Sequence, residues 1–171
     1  MPSPFTYFTR RKQKAIFFRN FVFGVEDSLV STVGLLSGIT VTSAPTSSII
    51  ATGIILIFVE AFSMAVGAFL SEDNSTASNH SKKTHARIAR GAFIMFISYF
   101  LAGFIPLTPY LLFSPGIAIY LSVILTLIAL TILGLISARR NRDNPLRSSL
   151  EMLTIGGIAT FMGIAVGSFL G

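Results

Sequence analysis

Apolar residues occupy this chain in long blocks. Five blocks, roughly 19–41, 48–70, 91–113, 116–138 and 151–170, are each dominated by Ile, Leu, Val, Phe, Ala and Gly. About 20 such residues, at 1.5 Å of helical rise each, cross the hydrocarbon of a bilayer. The blocks are too long for barrel strands, and lipid offers no partner to free backbone groups, so each predicts a transmembrane helix. Together they leave no room for a soluble catalytic domain. The expected fold is an all-α integral membrane protein, with a basic N-terminal segment (1–18) followed by a single five-helix domain (19–171).

Polar positions inside the blocks are few and ordered. In the first, Asp27, Ser31, Gly34 and Gly38 follow at intervals of four, three and four, which keeps them on one helix face. The second repeats the pattern with Glu60, Met64, Gly67 and Ser71, with Ser63 alongside. Small residues allow close helix approach, so both faces are expected to look at protein. Glu26 points about 100° away from Asp27, and the two cannot easily serve one narrow site. Counting residues inward from Arg19 and Glu72 places Asp27 and Met64 both about 12 Å deep, with Glu60 one turn deeper. In the third block Pro106 and Pro109 predict a helix break. The fourth has no obvious polar stripe and reads as lipid-facing scaffold. The fifth carries Gly163, Gly167 and Gly171 at spacing four, a close-packing pattern that can serve a dimer contact.

Composition strengthens the membrane reading. Of 171 residues, 52% are hydrophobic and only 12% charged, against roughly 25% charged in soluble domains. The net charge of +6 would suit a nucleic-acid partner if it were spread over one surface. Instead the bases cluster at Arg10, Arg11, Lys12, Lys14 and Arg19, at Lys82, Lys83, Arg87 and Arg90, and at Arg139, Arg140, Arg142 and Arg147. With five spans these clusters share one side, which the positive-inside rule makes cytoplasmic, leaving the C-terminus outside. They are topology signals, with some attraction for anionic lipid heads, and no nucleic-acid partner is expected. The first apolar block is longer than the 7–15 residues of a signal-peptide core and carries two acids. Absence of cysteine excludes disulfides and thiolate chemistry. The sequons at Asn74 and Asn79 fall in the expected cytoplasmic loop, where they would be accidental. His80 and His85, beside two lysines, read as solvated loop residues.

An ionisable group inside a membrane is by default a functional site. Glu26, Asp27 and Glu60 are therefore candidate ion ligands, against the alternative that they only fix helix packing. Met64, one turn from Glu60, adds a thioether. Carboxylates suit hard divalent ions and a thioether favours softer transition metals, so the mixture leans toward iron or manganese over magnesium and calcium. One protomer offers too few ligands for a full shell, whereas a two-fold homodimer would present each twice. No H-E-x-x-H, P-loop, G-x-S-x-G or dinucleotide fingerprint occurs, so no enzyme is expected and no permanently bound cofactor.

Three stretches, "VFGVEDSLVSTVGLLSGI", "EAFSMAVGAFLS" and "SSLEMLTIGGIATFMGIAVGSFLG", together with "PLTPYLL", resemble the vacuolar iron transporter family. The match runs in order from about Asn20 to the C-terminus. The resemblance implies a five-helix dimer that moves ferrous iron or manganese out of the cytosol, coupled to protons, along a path between protomers. It implies that Asp27 and Met64 lie on that path. Two departures stand out. Many members have Glu where this chain has Ala68, and many insert a metal-collecting cytoplasmic domain between helices two and three. Only the stretch from Ser71 to Arg90 connects them here, so the chain is similar to the short, nodulin-like branch. A non-transporting scaffold with structural acids, or an exporter of organic cations, are the alternative readings.

Overall fold

The computed structural model describes the backbone of residues 4–75 and 82–171 and the side chains of residues 13–74 and 84–171. Among them are five helices and no strand: α1 (Pro4–Val41), α2 (Thr46–Ser75), α3 (Lys82–Leu112), α4 (Pro115–Asn141) and α5 (Pro145–Leu170). Each contains a segment long and apolar enough to cross a membrane, the first being Gln13–Val41. The helices enclose the expected spans, except that α3 ends at Leu112, and they extend beyond them at the basic end. The expected N-terminal segment, 1–18, is already helical from Pro4. His80 and the sequon at Asn79 lie outside the described residues.

Turns are short. Ser43 adopts a positive φ of 58° between α1 and α2, and its N–H reaches Thr40 O. Pro115 opens α4 at a position where no backbone donor is needed. At the other end of α4, Arg142 enters the left-handed region at φ 63° and Asn144 caps α5 by accepting from Leu146 N at 3.0 Å. Arg139 and Arg140 occupy the last turn of α4, where a helix dipole favours cations.

α1 is the central element, packed mainly on α3 and α5 and more lightly on α4 and α2. α1 and α3 run in the same direction in a fixed register. Asn20 Nδ2 donates to Gly91 O (3.1 Å), Ser28 Oγ to Tyr99 O (2.6 Å), Ser31 and Tyr99 share a hydroxyl bond (2.7 Å), and so do Thr40 and Tyr110 (3.1 Å). The residue offset stays between 68 and 71 throughout. Leu36, Ile49, Ile57, Leu107, Tyr110 and Ala118 form the apolar core where α1 to α4 meet.

Three expectations are corrected. α3 does not break: it continues through Pro106 and Pro109. Pro106 is buried and its carbonyl accepts from Ser122 Oγ of α4 at 2.7 Å, which ties this turn to α4, and prolines inside membrane helices are tolerated. α4 is not featureless scaffold. Ala118, Ser122, Thr126, Leu130, Gly134 and Ala138 make a buried stripe at spacing four, in which hydroxyls and small residues stood in for the charges that would have revealed it. Finally, the α5 glycines pack inside the protomer. A Cβ on Gly163 would run into Gly34 O, and one on Gly167 into Gly38 O. Gly34 and Gly38 are thus engaged by α5 within the protomer.

Gly163→Ala and Gly167→Ala should each destabilise the purified protein by about 1–3 kcal/mol, because backbone must move to admit the methyl group. Gly157→Ala, whose Cβ would meet nothing within 4 Å, should leave the melting temperature unchanged or slightly raised. Thermal unfolding in detergent checks the contrast, and equal midpoints for all three would refute so tight an α1–α5 contact.

Candidate functional site

The stripe on α1 changes neighbour along its length. Its far half, Gly34 and Gly38, is covered by α5. Toward the basic end α5 turns to α4 instead: a Cβ on Gly134 would meet Ser149, and Gly156 lies against Leu130. Asp27 itself is half-buried, and a charged residue of α2 lies within electrostatic range of it.

That residue is Glu60. Asp27 and Glu60 are both half-buried and close enough for their charges to act on each other. The Tyr99 phenol lies within range of both charges and is held by Ser31. Met64 lines a groove with Arg19, Asn20, Phe23, Ser63, Gly67 and Ser71. This is about one turn nearer the basic end than the residue count from Arg19 and Glu72 suggested. The count assumed that these two residues were level. They do pair, at 3.6 Å, but both side chains are long, and their reach absorbs the difference. Ser63, Gly67 and Ser71 are exposed along this groove. Ser31 borders a second, mostly apolar groove between α1 and α5 with Gly34 and Gly38. Glu26 lies apart, lining a groove between α1 and α4 with Arg19, Ser137 and Arg140.

Asp27, Glu60 and Met64 are thus brought to one side of the bundle, and Glu26 to another. Among the described residues, no three His, Asp or Glu side chains converge on a point that could hold a metal ion. Two carboxylates and a thioether combine hard and soft ligand chemistry, but they are too few to complete a cation's shell within one protomer. Three participants had no signal in the sequence. Tyr99 reads as one more aromatic residue of α3, Asn20 as the edge of an apolar block, and Arg19 as a topology charge. Their roles depend on the 71-residue register of α1 and α3 and on the α1–α2 pairing, which no local pattern encodes. His85, expected to be solvated, has its Nε2 3.4 Å from Asp73 Oδ1.

The sequence profile of the VIT family matches residues 18–90 and 74–168, which together cover most of the chain and reach into all five membrane-crossing segments. The chain belongs to the VIT family. Among curated relatives it is 43% identical over 75 residues to vacuolar iron transporter 1 of Arabidopsis thaliana. It is 41% identical over 76 residues to the protein of that name from Eucalyptus grandis. Each match covers 43% of this chain and 30% of the relative, so this VIT-family chain spans under a third of the curated relatives it matches.

Interhelical hydroxyl bonds in membrane proteins average about 0.6 kcal/mol. Tyr99→Phe and Ser31→Ala should each destabilise by about that amount, and the double variant by less than the sum, because both delete one bond. Unfolding midpoints of the four proteins give the coupling. Strict additivity would show that the 2.7 Å contact contributes nothing.

Proposed function

We propose that this protein carries divalent transition metal ions, ferrous iron or manganese, out of the cytosol, and that Asp27, Glu60 and Met64 line the path. The carrying observation is that Asp27 and Glu60 are both half-buried within membrane-crossing helices, near enough for their charges to interact. A buried acid pair held only for packing would be expected to face a basic or hydrogen-bonding partner. Among the described residues neither acid forms an ion pair, and a cation is the group that two nearby carboxylates favour. The family and the relatives' names support metal as the cargo.

The transporting unit in this reading is a homodimer. Asp27, Glu60 and Met64 give two carboxylates and a thioether, and a two-fold axis beside α1 and α2 would double them. Ser63, Gly67 and Ser71, exposed on α2, suit a close partner helix better than lipid. A cation and a proton compete for the same carboxylate, which gives the site a simple means of exchanging one for the other. Glu26, on its separate face, is at most an accessory ligand. The basic end is cytoplasmic and Gly171 lies outside, so cysteines introduced at Ser81 and Ser43 should label from opposite sides.

Asp27→Asn keeps the shape of the side chain and removes its charge. In proteoliposomes it should reduce manganese and ferrous iron uptake at least tenfold while the protein still inserts and dimerises. Met64→Leu conserves volume and removes only the sulfur, so its loss should be smaller and should affect iron more than manganese. Running both with and without a pH gradient tests proton coupling. Normal uptake by a folded Asp27→Asn protein would make the acid structural. Transport insensitive to competing metal would favour an organic cation.

A further inference from the structure

The basic end poses an electrostatic problem. Lys and Arg outnumber Asp and Glu by 13 to 7, and the described basic residues lie near one set of helix ends. Arg140 lies 4.8 Å over the Phe18 ring, and Arg87 lines the cavity behind Glu72. A divalent cation arriving from this side meets its own sign of charge. The groove that leads to Met64 is walled at that end by Arg19 on α1 and Ser71 on α2. Arg19 Nη2 stands 3.6 Å from Glu72 Oε2, with the Arg side chain 70% exposed and the Glu side chain 20% exposed.

We propose that Arg19 and Glu72 form an electrostatic gate at the mouth of the α1–α2 groove, Glu72 neutralising Arg19 so that a divalent cation can approach Met64 and Asp27. The inference rests on the transport reading above and adds to it the residues that govern access. Arg19 alone would repel cargo from the groove it walls. Paired with Glu72, its charge is largely cancelled at the distance of an approaching ion. An exposed ion pair contributes little to stability, so the contact is easily opened. When the metal draws on the Glu72 carboxylate, Arg19 is free to swing into solvent, as its exposure permits. The pair therefore sets how readily metal enters and leaves the later steps to Met64, Asp27 and Glu60.

Neutralising one partner at a time separates this role from a mechanical brace between α1 and α2. A unit charge about 10 Å from a divalent ion changes its local concentration by roughly threefold to tenfold. Arg19→Gln should lower the KM for manganese supplied at the basic end by that factor, with little change in kcat. Glu72→Gln, which leaves Arg19 unopposed, should raise KM by a similar factor. The double variant should return KM toward the starting value, and Arg19→Lys, which keeps the charge but not the guanidinium geometry, should shift it less than Arg19→Gln does. Raising ionic strength should shrink all these differences. A brace predicts instead that both single changes act in the same direction and that Arg19→Lys resembles Arg19→Gln. That result, with the unmodified protein transporting normally, overturns the gate and leaves the transport reading standing. If the unmodified protein moves no manganese and no ferrous iron, both fall.

Discussion

Everything in this bundle follows from how closely α1 and α5 approach at Gly34, Gly38, Gly163 and Gly167. In lipid, apolar side chains gain little by leaving one apolar environment for another, so helices associate through packing density and polar contacts. Glycine on both sides of an interface removes the spacer that any other side chain imposes. α5 thereby fixes one side of α1, and the parallel hydrogen bonds to α3 fix another. With two sides held, α1 cannot rotate, and the orientation of Asp27 is determined by contacts that do not involve Asp27.

α5 divides its contacts between two helices. It meets α1 through Gly163 and Gly167, and α4 where Ser149 and Gly156 lie against Gly134 and Leu130. Met152 packs between them, against Leu29 and Leu130. α2 is packed mainly on α3, and its own face at Ser63, Gly67 and Ser71 stays open.

Much of this was legible in the residues, and the parts that were not share a cause. Span number and position follow from hydropathy because a bilayer imposes a minimum length on every apolar block. Gly34 and Gly38 face protein as their helical periodicity implied, whereas Gly67 and Ser71 of the matching α2 stripe are exposed. Which protein the α1 glycines face was not legible. Gly34 and Gly38 look the same in sequence whether they meet a second copy or α5. The same limit hid the role of α4, whose Ser122 and Thr126 become a polar stripe only once Pro106 O is known to lie opposite. Pro106 itself misled for a related reason, because the contact that ties its turn to α4 lies outside the local pattern.

The depth of the site shows how a small geometric reach matters. Equal residue counts from Arg19 and Glu72 align Asp27 with Met64, yet Met64 shares its groove with Asn20 and Phe23, one turn nearer the basic end. One turn of slip, about 5.4 Å, turns a mixed oxygen and sulfur layer into a carboxylate pair with the thioether on its approach. Arg19, Ser71 and Met64 line the groove, and neither acid is part of its lining. In the transport reading proposed above, a soft ligand then comes before a hard, charged one, which gives successive sites of different strength instead of one deep trap. The slip that the long Arg19 and Glu72 side chains permit is thus what separates the sulfur from the acids.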